Sequence, residues 1–287
     1  MKNKIESIQF LRFVAAFSVM MVHIPLIGRG IWGVDMFFVI SGFIMMYITD
    51  IDDKFFFTKR IFRIVPLYWI LTLLIFFLVW LKPGLFNNTT INFEHLFKSL
   101  FFIPFNKNET GHYPILFLGW TLNFEIIFYL LFGISILVFK KNKIYACSVF
   151  LISFYWINTL LSEKNFIFYA YSSFHFYEFI FGMIAYKIWS NFSDKIPKNT
   201  ISNSIFLLIM ILVTLFLNFS NFNFPIYLHF GFPSFLLLLY FLFFFSNYKF
   251  PKITQDLGDA SYCIYLIHPF IIQFFYRITG IDRYGIF

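Results

Sequence analysis

Long apolar stretches, broken at intervals by short clusters of polar and turn-forming residues, dominate this chain. Runs such as 71 to 81 and 205 to 217 are apolar on every face. A barrel strand would alternate apolar and polar residues, so these runs predict membrane-spanning helices. A span needs roughly 20 apolar residues. On that measure the pattern predicts helices at 8 to 27, 31 to 49, 64 to 82, 115 to 139, 143 to 161, 170 to 189, 203 to 219, 226 to 246 and 258 to 278. Breakers mark the joints at Gly28-Arg29-Gly30, Lys82-Pro83-Gly84, Lys140-Lys141-Asn142-Lys143 and 218 to 225. The longest connection, 83 to 114, holds a segment at 93 to 103 that fits a short interfacial helix. The expected fold class is therefore all-α, a polytopic bundle of about nine or ten transmembrane helices. With no repeat and no linker that would set off a second part, residues 1–287 read as one integral-membrane domain.

Composition agrees. Hydrophobic residues make up 60% of the chain and charged residues 13%, against roughly 45–50% and 25% in soluble domains. Disorder, a disulfide scaffold and an ordinary cytosolic enzyme are excluded. Cys147 and Cys263 both sit in apolar runs and form no CxxC pair, so redox and metal readings lack support. The first apolar segment is a full-length span followed by many others, unlike a cleavable signal.

The net charge of +8 takes its meaning from topology. With nine spans and a cytoplasmic amino terminus, 14 of the 22 Lys and Arg fall on the cytoplasmic side, including Lys2, Lys4, Lys59, Arg60 and Arg63. Seven fall outside, including Arg29, Lys107 and Arg283, and Arg12 lies within a span. This is the expected inside-positive bias. The basic charge thus points to anionic lipid headgroups, and nucleic acid gains nothing from it.

Ionisable residues at span depth are the informative ones, since each costs about 2.5–3.5 kcal/mol at a helix centre and must face protein or water. Arg12, His23, Glu125 and His268 are of this kind. Arg12 and His23 are eleven residues apart, which returns a helix to nearly the same face about 16 Å along its axis. Histidine suits proton transfer from a hydroxyl near neutral pH. Its nearest orienting partner in sequence is Asp35, which is equally placed to cap the turn at Gly33-Val34-Asp35. Arg12 could instead snorkel to headgroups, and His23 could bond a neighbouring carbonyl.

Arg60 and Arg63 share a face if a helix has begun there, and guanidinium pairs bind phosphate. The bland alternative is a positive-inside anchor with an aromatic belt at Tyr68 and Trp69. Glu125 needs a cation such as Arg12, or must be held neutral. His175 and Glu178 stand at helical spacing and favour a helix–helix bond over a metal site; no metal is expected. Pro269 frees the carbonyl of Tyr265 beside His268.

Taken in order, several segments resemble the membrane-bound acyltransferase 3 family, the O-acyltransferases that modify bacterial surface glycans. They are Arg12-x10-His23, Gly33-Val34-Asp35-Met36-Phe37-Phe38-Val39-Ile40-Ser41-Gly42-Phe43 and Arg60-x-x-Arg63 with Pro66 and Tyr68. Further along come Trp120-Thr121-Leu122 with Glu125 and Tyr129, Glu178-Phe179 with Gly182, and Ser261-Tyr262 with Tyr265-Leu266 and His268-Pro269. The ordered set is specific where no single piece is.

The resemblance implies a bacterial inner-membrane enzyme with no permanently bound cofactor. It would take an acyl group, acetyl in the first instance, from cytoplasmic acyl-CoA. The acceptor would be a hydroxyl of a cell-surface glycan or its lipid-linked precursor. His23 would be the general base, with Arg12 and Asp35 beside it; Arg60, Arg63 and Tyr68 would serve the donor. Ser41, Trp120, Glu125, Glu178, Tyr265 and His268 are the further candidates. Direct attack on the thioester and a covalent acyl relay both stay open, but no Gly-x-Ser-x-Gly elbow is present. The resemblance also implies one more span after His268-Pro269, whereas this chain stops at Phe287, and it implies arginine where His175 stands. The rival reading is a transporter or flippase of a lipid-linked glycan, with Arg12, Glu125 and His268 as its path; a non-catalytic partner subunit is a third.

Overall fold

A computed structural model describes residues 5–24, 30, 32–86, 92–106, 113–219 and 225–279. Lys2, Lys4, Arg29, Lys107 and Arg283, the joint at 28 and 29, most of the joint at 218 to 225, and the expected first span beyond residue 24 lie outside them. The described residues are helical, with no strand among them. The helices are α1 (Glu6–Val22), α2 (Trp32–Ile51), α3 (Phe56–Leu81), α4 (Phe93–Leu100), α5 (Trp120–Phe139), α6 (Lys143–Leu161), α7 (Phe166–Tyr171), α8 (His175–Phe192), α9 (Thr200–Phe219), α10 (Ile226–His229), α11 (Gly231–Phe244) and α12 (Lys252–Thr279).

Each expected span has a helical counterpart, and α4 occupies the expected interfacial segment. Four stretches among the described residues are long and apolar enough to cross a membrane: Trp32–Ile51, Phe56–Leu81, Phe117–Leu161 and Thr200–Leu217. The third comprises α5 and α6, joined through a tight turn at Lys140–Asn142. Gly231–Phe244 is apolar but shorter. By contrast α1, α8 and α12 are shorter or more polar, and these carry Arg12, His175, Glu178 and His268. The apolar pattern also placed some ends wrongly. α3 begins at Phe56, not near 64, because helical hydrogen bonding continues through the charged turn Lys59-Arg60, where hydropathy falls.

The chain divides into two compact units, and α1 and α12 contribute to both. The first unit comprises Met1–Ser18, Ile31–Asp53 and Phe174–Ser261. Its centre is the packing of α2 on α8 at Gly42 and Gly182. A Cβ at Gly42 would fall on the Phe179 carbonyl, and one at Gly182 on the Val39 carbonyl, so the two backbones touch. Small residues at such a crossing are how helices associate closely in lipid. α11 lies against both α2 and α8. Near the start of α1, Glu6 accepts from Lys249 Nζ at 3.2 Å and from the Phe250 backbone N–H at 3.1 Å. α9 buries little of its surface and leaves one side exposed, as a helix bordering lipid would, while Phe206 packs on Tyr240 and Phe244 of α11.

The second unit comprises Val19–Gly30, Lys54–Ser173 and Tyr262–Phe287. α3 is tied to α4 through side chains near its middle. The Tyr68 hydroxyl donates to the Ser99 carbonyl at 3.0 Å, and Trp69 Nε1 donates to the Leu100 carbonyl at 2.8 Å. Phe57 fills the notch left at Gly133 of α5. α12 joins this unit through Tyr262, which donates to the Ile64 carbonyl at 3.0 Å, and Tyr265, whose hydroxyl lies 3.1 Å from Thr121 Oγ1.

Because the α2/α8 contact is backbone to backbone, no rotamer change can relieve an added side chain. Gly182→Val is expected to destabilise by more than the roughly 1–3 kcal/mol typical of overpacked cores. Thermal unfolding of the detergent-solubilised protein checks this, with Ile201→Val on the exposed face of α9 as the comparison.

Candidate active site

Among the described residues, three clusters of buried ionisable side chains stand out. His23 follows α1 directly, buried, with Nδ1 3.0 Å from the Val19 carbonyl one turn back. His268 of α12 is also buried, and its Nε2 lies 3.1 Å from His23 Nδ1. The rings meet edge to face, with centroids 4.9 Å apart. His268 Nδ1 is 3.0 Å from the Ile264 carbonyl. Pro269 has no N–H to give to the Tyr265 carbonyl, which opens this turn of α12 around the ring. A carbonyl can only accept, so in the neutral pair both rings carry hydrogen on Nδ1. His23 Nδ1–H then points to the Val19 carbonyl and to the lone pair on His268 Nε2, and the lone pair of His23 is on its own Nε2.

The second cluster lies in the second unit as well. Tyr129 of α5 donates its hydroxyl hydrogen to Glu125 Oε1, one turn earlier on the same helix. Arg60 of α3 faces this pair, with Tyr129, Glu125 and Arg63 close enough to act on its charge. Arg60 Nε and Nη1 are buried and have no hydrogen-bond partner. Burying charged donors unpaired is expensive, and an anion would satisfy them. α3 has begun by Arg60, so Arg63 shares its face; Arg63 is exposed.

The third cluster is in the first unit. Asp35 of α2 and Glu178 of α8 are buried and hydrogen-bonded to each other, and His175 Nδ1 stands 3.3 Å from Glu178 Oε2. A hydrogen bond between two carboxyl groups requires a proton on one of them. Gly231 of α11 makes room for Glu178: a Cβ there would come within 2.8 Å of Glu178 Cγ. One ligand atom from each of Asp35, His175 and Glu178 lies within 4.8 Å of the others. Their mutual bonds already serve all three, and the set reads as a helix–helix clamp.

The other candidates fall as follows. Arg12 is buried in the first unit, with Nη1 3.3 Å from Gln9 Oε1. Tyr68 is fully buried, stacked on Phe102 and bonded to Ser99, so its hydroxyl is used within the protein. Trp120 opens α5 with its ring edge-on to Phe124. Ser41 is half-buried beside Gly42. Tyr265 bonds Thr121, which itself donates to the Leu118 carbonyl at 3.0 Å. Tyr129 joins the second cluster without having been given a role in the sequence; its place one turn from Glu125 was the available signal.

Comparison with known proteins places this arrangement. A family model described as an acyltransferase domain, acyltransferase 3, matches residues 5–283. The chain is 32% identical over 254 residues to the exopolysaccharide production protein ExoZ of Rhizobium meliloti (strain 1021), covering 85% of this chain and 77% of the relative. No solved structure matches it.

Asp35→Ala strips Glu178 and His175 of a buried partner, whereas Asp35→Asn keeps an acceptor and a donor in place. The alanine variant should lose about 1–3 kcal/mol of stability and the asparagine variant clearly less. Thermal unfolding in detergent compares the two.

Proposed function

Because the chain belongs to the acyltransferase 3 family, and is an acyltransferase and a multi-pass membrane protein, we propose the following reaction. It moves an acyl group, acetyl as the first candidate, from acyl-CoA on the cytoplasmic side to a hydroxyl of a cell-surface glycan or its lipid-linked precursor. The observation that carries the donor half is Arg60. Tyr129 and Glu125 lie close enough to act on its charge, and Nε and Nη1 are left buried and unsatisfied. Phosphate oxygens are strong acceptors for such a group. Arg63 adds a second positive charge on the same helix face, which suits the several phosphates of CoA. The two-to-one excess of Lys and Arg supports placing these arginines on the cytoplasmic side.

His23 supplies the acceptor half. The acceptor hydroxyl gives its proton to His23 Nε2 as its oxygen forms the ester bond to the acyl carbonyl carbon. The carbon–sulfur bond breaks, and the CoA thiolate takes the proton back from His23. Base catalysis of this kind contributes typically 10²–10⁴-fold. The glycan acceptor rests on the printed name of the relative from Rhizobium meliloti, which concerns exopolysaccharide production.

Surface glycans from cells with the intact protein, without it, and with His23→Ala at matched membrane abundance should differ in mass by one acyl group, present only with the intact protein. Unchanged acylation in all three, with less exported glycan when the protein is missing, would replace the transferase by a flippase. With purified protein in nanodiscs, Arg60→Gln should raise KM for acyl-CoA roughly 10- to 100-fold, the worth of a charged hydrogen bond, with a smaller effect on kcat. An unchanged KM would remove Arg60 from the donor site.

A further inference from the structure

His23 has two acceptors at one ring nitrogen, and they are chemically different. The Val19 carbonyl lies 3.0 Å from Nδ1 and belongs to the preceding turn of the same chain segment. His268 Nε2 lies 3.1 Å away and comes from a helix 245 residues further on. Either acceptor alone would select the Nδ1–H form. The carbonyl is a fixed dipole, however, whereas an imidazole lone pair can share a proton. His268 is itself fixed: its Nδ1–H is committed to the Ile264 carbonyl at 3.0 Å, so only its lone pair can face His23. Two buried imidazoles would repel if both presented N–H, and this arrangement excludes that.

We infer that His268 is a positioning residue for the acyl transfer, forming with His23 an imidazole–imidazole dyad that orients the base and takes up part of the charge it acquires. The inference rests on the acyltransferase reading of His23. When the acceptor hydroxyl gives its proton to His23 Nε2, His23 becomes an imidazolium. Its Nδ1–H···Nε2 bond to His268 then turns from a neutral into a charge-assisted bond, about twice as strong. The gain arises only once the proton has moved, so it lowers the barrier without tightening substrate binding. The pair ends with the protons it began with: the one received at His23 Nε2 is passed on to the CoA thiolate. Pro269 and the turn from Ile264 hold the second ring so that it cannot rotate to present a donor.

Two variants and one spectrum test this. His268→Ala removes the acceptor; His268→Gln replaces it by an amide oxygen that can accept from His23 Nδ1–H. In nanodiscs, with acyl-CoA and an acceptor on which the parent is active and His23→Ala is not, His268→Ala should lose roughly 10- to 100-fold in kcat. KM for acyl-CoA should stay as in the parent, and His268→Gln should recover most of the loss. A His268→Ala enzyme as active as the parent would overturn the dyad while leaving the acyltransferase reading in place. So would a glutamine variant as poor as alanine although it unfolds at the parent's temperature. A parent with no acyl-CoA-dependent transfer would fail at the level of the reading itself. The ¹⁵N spectrum of histidine-labelled protein separates the two, because it needs no turnover. Difference spectra against His23→Ala and His268→Gln should show both rings as Nδ1–H tautomers. Hydrogen on His268 Nε2 overturns the dyad whatever the activity.

Discussion

An ionisable group inside an apolar helix bundle has to find its partner within hydrogen-bond reach, and this single constraint shapes the interior of the protein. Hydrocarbon cannot solvate it, and removing the group's partner is costlier than never having placed the pair. Each of the three clusters meets the constraint differently. His23 and His268 do it with neutral rings in matched tautomers, Glu125 by accepting from the Tyr129 phenol beside Arg60, and Asp35 and Glu178 by holding a proton between them with His175 alongside. Only the arginine is left short of partners, at Nε and Nη1. That is why it, and not the acid pair, reads as the seat of a charged ligand.

Meeting the constraint requires helices to be held at fixed separations, and the apolar face of a lipid-exposed helix cannot do this by hydrophobic driving force. Backbone contact does it in the first unit, where Gly42 and Gly182 leave no slack between α2 and α8. The Asp35–Glu178 bond and the bond from Tyr186 to Asp50 at 2.6 Å join the same two helices at separated points. In the second unit the fixing is done by polar side chains reaching backbone carbonyls, Tyr68 to Ser99 and Tyr262 to Ile64. The Tyr68 hydroxyl, in sequence a candidate for donor binding, is used in this way.

The helices themselves were legible because the apolar runs are long and uninterrupted, and the residues that matter were legible because charge is rare at that depth. The pairings were not. His23 stands closest in sequence to Asp35, yet the structure shows His268 at its ring nitrogen, while Asp35 shares a bond with Glu178. Helical spacing relates residues up to a few turns apart and is silent about which helices face one another. Glu125 illustrates the same point, since Tyr129 at the next turn could be read from spacing but Arg60 on another helix could not. Helix ends blurred for a different reason. Hydropathy falls at Lys59-Arg60, although the backbone ladder runs straight through it.

Both halves of the proposed chemistry fall within one compact unit. His23, His268, Arg60, Tyr129 and Glu125 all belong to the second, whereas Arg12, Asp35, His175 and Glu178 belong to the first. A base and a phosphate seat carried on the same packed body keep their separation fixed by that body's own contacts, which is what alignment of a thioester with an attacking hydroxyl demands. The acid cluster, internally satisfied and clamped beside the glycine crossing, serves the packing of α2 on α8 in its own unit. Its loss should appear first as a loss of stability, while loss of the histidine pair should appear first in turnover.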